Sequence, residues 1–323
     1  MTAKADREVR LQAYLARAGV ASRRRAEALI TSGRVSVNNQ VVTVPGCQVA
    51  RGRDIVQLDG QVLEWQELMT LAFNKPRGVV TTMTDPQGRP TIADFLDANG
   101  PRVFPVGRLD YASEGLLILT NDGELARRLM HPSFGVAKVY AVKVKGHPSA
   151  EALRRLRSGV MMAPPACSRS GPPAARAPQQ LSPRANVHVL ETLRINTWLQ
   201  IEVHEGQQHL VRRMLDAIEH PVLRLVRTAV GPLEIDDLKS GSVRRLTSRE
   251  LFALRAAVKL AEGAPPRQPA VEQPGAPARS AGAPARGAER KGEGGTPGHR
   301  RRPPGQGVAT HDRPRKRKDR RSR

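Results

Sequence analysis

Between residues 71 and 261 the sequence alternates between the hydrophobic period of a β-strand and that of an α-helix. Stretches of strand length, "GLLILT", "VAKVYAVKVKG" and "TWLQIEVHEG", are separated by "GELARRLMH", "HPSAEALRRLRSG" and "QQHLVRRMLDAIEH", in which apolar residues recur three and four positions apart. "TLAFNKPRGVVTT" is predicted as a strand, a Pro-Gly turn and a second strand. Hairpins interleaved with helices favour an α+β domain whose sheet is mixed, mainly antiparallel, and flanked by helices.

The first 60 residues predict a small unit of two helices followed by a β-hairpin. "RLQAYLARAG" has helical spacing and ends at Gly19, and Ser22 is the predicted N-cap of the helix in "SRRRAEALITSG". "RVSVNNQVVTV" alternates and turns at Asn38 and Asn39. Five arginines crowd the helical part: Arg17, Arg23, Arg24, Arg25 and Arg34. Such a run is either a solvated face or a nucleic-acid contact, and the pattern alone leaves both interpretations open.

Composition separates the C-terminal end from the rest of the chain. Residues 262–323 contain ten Pro, ten Gly, no aromatic residue, and sixteen Lys and Arg against six Asp and Glu. Such a segment cannot bury enough apolar surface to offset its ordering entropy, so a disordered basic tail is predicted. The predicted organisation is a small domain at 9–60, a linker at 61–70, a larger domain at 71–261 and the tail at 262–323.

The charge of the chain favours a polyanionic partner. Its 53 Lys and Arg exceed its 30 Asp and Glu, which gives a formal net charge of +23, and the excess is not confined to the tail. A basic protein binds nucleic acid by neutralising phosphates and releasing their counterions, although a basic tail or solubility alone would also explain the charge. A nucleic acid is therefore the expected partner.

Several classes of function are not expected from this sequence. Cys47 and Cys167 are far apart and no Cys/His cluster has zinc spacing, so we expect neither a metal site nor a disulfide framework. The low cysteine content fits a protein of the reducing cytoplasm, which is the predicted location. "MTAKADREVR" is not a signal peptide, and no apolar run approaches the roughly 18 residues of a membrane span. We find no P-loop, no dinucleotide fingerprint and no evident Ser-His-Asp or Cys-His arrangement. We therefore expect a monomer without a membrane partner, and a reaction without a cofactor.

The remaining chemical groups of interest are a carboxylate, a phenol and guanidinium groups. Asp110, in "VGRLDYASEGLLILTNDG", precedes a buried strand and is either a turn-forming residue or a functional acid. Tyr140 projects from the apolar face of its strand, either as a core tyrosine or as part of a site. Arg212 lies at the edge of an apolar helical stripe, where an arginine usually pairs with an acid or a ligand. Arg213 is predicted to face solvent or RNA.

Two long stretches resemble known RNA-modifying enzymes. "GRLDYASEGLLILTNDGELARRLMHPSFGVAKVYAVKVKG", together with "NKPRGVVTT", "NTWLQIEVHEG" and "VRRMLDAIEHPVLRLVRTAVGPLEI", resembles the catalytic core of bacterial ribosomal pseudouridine synthases, in particular those of the large subunit. "LARAGVASRRRAEALITSGRVSVNNQVV" resembles the small RNA-binding domain first described in a ribosomal small-subunit protein. This second resemblance implies that the second helix, with its arginines, docks on structured RNA.

The resemblance implies an isomerisation of uridine that needs no cofactor. The N1–C1′ bond breaks, the uracil turns and C5 bonds to C1′, with a carboxylate that either attacks C1′ or abstracts the 2′ proton. The resemblance assigns the carboxylate to Asp110, the arginine adjacent to it to Arg212, and the tyrosine that stacks on the uracil to Tyr140. It assigns Arg108 to RNA binding, in the space that the extruded nucleotide vacates. The implied partner is 23S rRNA or a pre-ribosomal particle.

The sequence departs from the family pattern at two places. In "EGQQHLVRRM", Gln208, His209 and Leu210 stand where the family usually has Asn, a basic residue and Gln, and Leu210 is expected to weaken substrate positioning. The segment from Met161 to Val187 is rich in Pro and Ala and is predicted to be an irregular loop. Two alternatives therefore stay open: a catalytically impaired RNA-binding ribosome assembly factor, and a synthase that acts on 16S rRNA.

Overall fold

The computed structural model describes residues 8–163 and 179–260; the predicted tail and Cys167 lie outside these ranges. The strands are β1 (Glu8–Arg10), β2 (Val35–Val37), β3 (Gln40–Val41), β4 (Gln48–Ala50), β5 (Val56–Leu58), β6 (Gln61–Val62), β7 (Thr70–Lys75), β8 (Phe104–Pro105), β9 (Glu114–Thr120), β10 (Lys138–Lys145), β11 (Met161–Met162), β12 (Gln180–Leu181), β13 (Asn186–Thr192), β14 (Asn196–Val203), β15 (Val222–Val230), β16 (Leu233–Glu234) and β17 (Val243–Arg245). The α-helices are α1 (Leu11–Arg17), α2 (Arg23–Thr31), α3 (Gly123–Met130), α4 (Ala150–Ser158), α5 (Leu210–Asp216) and α6 (Ser248–Ala257). None of these helices is both long and apolar enough to cross a membrane.

The N-terminal unit forms the predicted helices and hairpin because its caps and turns lie where the sequence indicates. The Ser22 side chain accepts a hydrogen bond from the backbone N–H of Arg25 at the start of α2 (3.3 Å), and Gly19 at φ +82° lets the chain leave α1. Asn38 and Asn39 both have positive φ, as a two-residue hairpin turn requires. The two helices share one core with a four-stranded sheet of order β3-β2-β5-β6.

The chain that follows this unit remains attached to it. β6 pairs with β5, and Leu63 and Trp65 pack against the N-terminal core. The Trp65 ring also contacts two guanidinium groups, with Arg17 4.0 Å and Arg51 4.9 Å from its centroid. Residues 61–65 therefore pack on the N-terminal unit.

The remaining described chain is built around a mixed, mainly antiparallel sheet of nine strands flanked by helices, as predicted. Its main path is β13-β14-β10-β15-β9-β7-β17, with β16 paired to β15 and β8 paired to β9. The pairings in this sheet are antiparallel except the one between β15 and β9, where Val226 lies opposite Glu114. This short parallel pairing, which we call the seam, joins a half made of β7, β8, β9 and β17 to a half made of β10, β13, β14, β15 and β16.

Gly115 allows the two backbones to approach closely at the seam. Its φ is +105°, and a Cβ at this position would lie 2.7 Å from the backbone nitrogen of Arg227. Only glycine tolerates both the conformation and the contact. Arg227, which is 3% exposed, crosses the seam and donates from Nε to the carbonyl oxygen of Leu116 at 2.7 Å.

The two halves bury the sheet differently. In β9, Leu116 packs with α3 and α6 on one face, and Leu117 packs with the segment 92–109 on the other, which explains the continuous apolar run of this strand. In β10, Val142 packs with α4 and α5, whereas Lys143 lies on the opposite face. We call the cluster of Val142 with α4 and α5 the α4–α5 core, and the cluster of Leu117 with the segment 92–109 the Leu117 core. Tyr140 packs against both, so it marks the place where these two cores meet.

Three predicted elements differ in the structure. The second strand of "TLAFNKPRGVVTT" is wrong: after β7 the chain makes only an isolated bridge between Val80 and Thr91, because it runs as a loop over the Leu117 core. The helix predicted over "QQHLVRRMLDAIEH" begins only at Leu210, because His209 has a left-handed φ of +52°. The predicted irregular loop contains structure at its ends, since β11 pairs with β12 and β13 starts within it; its middle is outside the described residues.

Candidate active site

Asp110 lies in the loop that leads into β9. Leu109, just before it, is buried in the Leu117 core and is held there by Thr81, whose hydroxyl donates to the Leu109 carbonyl at 2.6 Å. The backbone N–H of Ser113 donates to the Asp110 carbonyl at 3.0 Å, so the residue also closes a turn. The Asp110 side chain remains 35% exposed. The backbone is therefore fixed while the carboxylate remains accessible to a ligand.

The buried side chain of Lys75 stabilises the Asp110–Ser113 turn. It is fully buried at the end of β7, and its ammonium donates to the carbonyl oxygens of Pro76 (2.8 Å) and Ser113 (2.9 Å). Burial lowers the pKa of Lys75 to about 8, while the nearby carboxylates of Asp110 and Glu114 act in the opposite direction. The ammonium of Lys75 thus contacts the backbone of the turn and not the Asp110 carboxylate.

His209 contacts the Asp110 carboxylate. Its Nδ1 lies 3.1 Å from Asp110 Oδ2, and the two side chains are 43% and 35% exposed. The residue precedes α5 in the left-handed conformation, which costs a non-glycine residue about 1–2 kcal/mol. The buried side chain of Leu210, next in the chain, anchors this turn to the α4–α5 core.

Sequence-based reasoning placed Arg212 directly beside Asp110, and the structure corrects this expectation. Arg212 Nη2 lies 3.3 Å from the carbonyl oxygen of Ala112 and 3.5 Å from Ser113 Oγ. Within the described residues it forms no ion pair with the Asp110 carboxylate. Arg212 therefore contacts the turn that carries Asp110, and His209, which precedes α5, contacts the carboxylate itself.

Two neighbours of Arg212 also differ from expectation. Arg213 was predicted to face solvent or RNA, but its Nε donates to the carbonyl oxygen of Ala163 at 2.9 Å and its side chain is partly buried. Leu210 is 4% exposed and packs in the α4–α5 core. An apolar residue at this position therefore faces the core.

Tyr140 provides an aromatic surface at the junction of the two cores. It lies opposite Ile201 on one neighbouring strand and Arg227 on the other, and its side chain is partly buried. The side chain packs against both cores without being fully enclosed by them. Arg108 is exposed two residues before Asp110, on the same loop.

The arginines of the N-terminal unit fall into two groups. The three at positions 23–25 are exposed along the first turn of α2. Arg34 forms an ion pair with Asp59. Arg17 stacks on Trp65, and burial lowers the pKa of its guanidinium. The exposed triplet is therefore the part of this set that presents free positive charge at the surface.

Sequence-based reasoning missed Lys75 and the contact made by His209. A signal for Lys75 was available, because a lysine that ends an apolar strand must bury its ammonium against acceptors. The contact of His209 depends on a left-handed turn that the sequence does not indicate.

Together these groups place an accessible carboxylate next to an imidazole, on a turn that a buried ammonium and a guanidinium contact. Such a carboxylate can act as a nucleophile or as a general base. Within the described ranges, no group of three or more His, Cys, Asp and Glu residues is placed to hold a metal ion.

Comparison with known proteins identifies both parts of the chain. Residues 9–55 match the S4 domain, and residues 69–217 match the RNA pseudouridylate synthase family. An uncharacterized RNA pseudouridine synthase of Aquifex aeolicus (strain VF5) is 41% identical over 254 residues, which covers 78% of this chain and 96% of that protein. The chain therefore belongs to the RNA pseudouridine synthase family, with an S4 domain ahead of the catalytic domain, and it is an isomerase.

A further relative and a solved structure agree with this assignment. The ribosomal large subunit pseudouridine synthase B of Bacillus subtilis (strain 168) is 41% identical over 247 residues, which covers 76% of this chain and 96% of that protein. A crystal structure of a pseudouridylate synthase is 25% identical, covers 76% of this chain and 99% of that chain, and superposes with a TM-score of 0.52.

Proposed function

We propose that this chain converts a uridine of 23S rRNA to pseudouridine, with Asp110 as the catalytic carboxylate. The observation that carries the proposal is the accessible Asp110 side chain, fixed by its turn and contacted by His209 at 3.1 Å. The target is supported by the names of two relatives. The proteins from Bacillus subtilis and from Pseudomonas aeruginosa, which is 38% identical, are both called ribosomal large subunit pseudouridine synthase B.

In the proposed reaction the uracil changes its attachment to the sugar. The N1–C1′ bond breaks, the base rotates, and a C5–C1′ bond forms as C5 loses a proton and N1 takes one up. Asp110 acts at the sugar, either as a nucleophile at C1′ or as the base that removes the 2′ proton. Product and substrate are isomers, so the overall reaction needs neither an electron acceptor nor a group donor.

Tyr140 is assigned to contact the extruded base, and Arg108 is assigned to occupy the space that the base leaves. The partly buried Tyr140 ring is assigned to stack on the uracil, a contact that contributes roughly 1–3 kcal/mol. This energy offsets part of the few kcal/mol required to extrude the nucleotide from its stack. The exposed Arg108 is assigned to the vacated position, and Arg212 is assigned to hold the turn of Asp110 through the Ala112 carbonyl.

RNA affinity is assigned to the N-terminal domain at 9–60, and catalysis to residues 71–261. The exposed arginines at positions 23–25 support this division, since helix-borne cations contact phosphates without reading much sequence. Their charge lies on a unit with its own core, separate from the two cores that meet at Tyr140.

The test uses purified full-length protein and unmodified 23S and 16S rRNA transcripts, with pseudouridine mapped by carbodiimide labelling and primer extension. We expect one new stop in 23S rRNA, and a decrease of at least about 10³-fold in its rate of appearance with Asp110→Asn. Asp216→Asn, an exposed acid on the same helix as Arg212, is the matched control and should leave the rate unchanged. A stop in 16S rRNA and none in 23S rRNA would show that the substrate is 16S rRNA. Tight binding without any stop would refute the proposal in favour of an assembly factor.

A further inference from the structure

The segment that joins the S4 domain to the catalytic domain is first held by the S4 domain. The Tyr14 hydroxyl donates to the carbonyl oxygen of Leu63 at 3.1 Å. Trp65 follows, with its ring packed against the S4 core and 4.0 Å from the guanidinium of Arg17. A polar bond and an aromatic contact therefore fix this part of the segment on the S4 side.

Asn121 attaches the other end of the segment to the catalytic domain. Its Nδ2 donates to the carbonyl oxygen of Glu67 at 2.8 Å, and its Oδ1 accepts the N–H of Met69 at 2.7 Å. The backbone N–H of Asn121 also donates to the Met69 carbonyl oxygen, at 3.2 Å. Asn121 is 6% exposed, and these bonds satisfy the polar groups that its burial removes from water.

Gln66, between these two attachments, contacts both domains. Its backbone N–H donates to the carbonyl oxygen of Arg17, at the end of α1, at 3.1 Å. Its side-chain Oε1 accepts the N–H of Arg102, in the catalytic domain, at 3.0 Å. The same side chain lies against Gly19, where a Cβ would come within 2.7 Å of Gln66 Oε1. The attachment to the S4 domain thus ends at Gln66, and the attachment to the catalytic domain begins at Gln66 and Glu67.

Arg17 is also influenced by an acid of the catalytic domain. Burial lowers the pKa of its guanidinium, and the carboxylate of Asp122 acts in the opposite direction. Asp122 caps α3 and pairs with Arg255 at 2.9 Å, so its position is fixed by the catalytic domain. The electrostatic attraction between Arg17 and Asp122 therefore acts across the same junction as the hydrogen bonds of Gln66.

We infer that Gln66 and Asn121 fix the S4 domain on the catalytic domain, so that the enzyme selects a uridine at a fixed distance from the RNA element that the S4 domain binds. The inference rests on the proposed function. Because the connection has no free length, RNA held by the S4 domain presents only a limited region to Asp110. A flexible connection would let the catalytic domain sample a larger volume and would lower the effective concentration of the target at Asp110.

The kinetic test adds free length to the connection. In the insertion variant, Gly-Ser-Gly-Ser is placed between Gln66 and Glu67 together with Gln66→Ala, which adds up to about 14 Å of flexible chain. In single-turnover reactions on 23S rRNA with saturating enzyme, this variant should form pseudouridine at least about tenfold more slowly than the wild type. Its Kd for RNA should change less than about threefold, because the surfaces of both domains are unaltered.

The matched control carries the same four residues between Arg194 and Ile195, in the exposed turn from β13 to β14, and should react at the wild-type rate. A wild-type rate for the insertion variant would overturn the inference. So would a loss of RNA affinity large enough to account for the whole decrease in rate.

A distance measurement does not depend on activity. Nitroxide labels are attached through Ser32→Cys in the S4 domain and Glu151→Cys on α4, both exposed positions, in a full-length chain that also carries Cys47→Ala and Cys167→Ala. Double electron–electron resonance should give one narrow distance distribution for this chain, and a distribution at least about twice as wide once the insertion is added.

A broad distribution without the insertion would overturn the inference, because it would show that the two domains move independently. A wild-type protein that forms no pseudouridine would refute the proposed function, whereas the distance measurement would still decide whether the two domains are fixed to each other.

Discussion

The buried ammonium of Lys75 predicts a specific dependence of stability on pH. The pKa of this group falls from 10.5 in its ordinary environment to about 8 in the folded protein, because burial disfavours the charged form. The unfolded chain therefore binds this proton more tightly than the folded chain does. Below about pH 8 the charge is present in both states and its burial destabilises the fold; the penalty decreases as the pH rises from about 8 to 10.5.

The size of the effect follows from the two pKa values. At about 1.4 kcal/mol per pKa unit, the difference between 10.5 and about 8 corresponds to about 3 kcal/mol in total. About 2 kcal/mol of this change falls between about pH 7.5 and pH 10. Lys75→Met removes the titrating group and keeps most of the side-chain volume. The free energy of unfolding of the wild type, measured relative to Lys75→Met, should therefore increase by about 2 kcal/mol over this range.

Urea denaturation followed by circular dichroism at several pH values measures this difference. Comparison with the variant cancels the titration of other groups, which both proteins share. Lys145→Met, a change at an exposed lysine of β10, serves as the control and should follow the wild type at each pH. Parallel curves for the wild type and Lys75→Met would refute the reasoning, because they would show that Lys75 keeps the same proton affinity in both states.

Two further predictions concern the seam and the S4 domain. Gly115→Ala would place a Cβ against the backbone of Arg227 at a positive φ, so we expect a loss of at least about 3 kcal/mol in denaturation experiments, and a loss below about 1 kcal/mol would contradict the close packing described. Replacing the three arginines at positions 23–25 by alanine should reduce the steepness of RNA affinity against salt concentration by roughly 2 in the log–log slope, measured by filter binding; an unchanged slope would mean that these side chains do not contact phosphates.

The elements determined by local chemistry could be predicted from the sequence. Ser22 caps its helix, Asn38 and Asn39 turn their hairpin, and β9, β10 and β14 coincide with the strands that alternation or apolar runs indicate. The strand order could not be predicted, because the parallel pairing of β15 with β9 joins segments that share no local signal. The prediction of a second strand after β7 was wrong for a related reason. The apolar residues of this segment pack in the Leu117 core and are not part of the sheet.

The candidate site was predictable as a set of residue types, and its contacts were not. Their positions made Asp110, Tyr140 and Arg212 candidates, and the family resemblance assigned their roles. The residue that contacts the carboxylate, His209, lies just ahead of α5 in a left-handed conformation. Hydrophobic periodicity does not locate helix ends accurately enough to predict which residue of this segment lies ahead of the helix.

The seam also determines when the sheet of a newly synthesised chain can be completed. Its hydrogen-bonded partners Arg227 and Leu116 are 111 residues apart in sequence, and β17 must still return to pair with β7 at the far edge. Contacts between such distant segments form slowly, because the entropy of closing the intervening chain must be lost first. During translation Asp110 emerges long before His209, which contacts its carboxylate, and before Arg212, which contacts its turn, so these contacts cannot form until both residues have left the ribosome. The contacts of the candidate site are therefore complete only when nearly all of the sheet has been made.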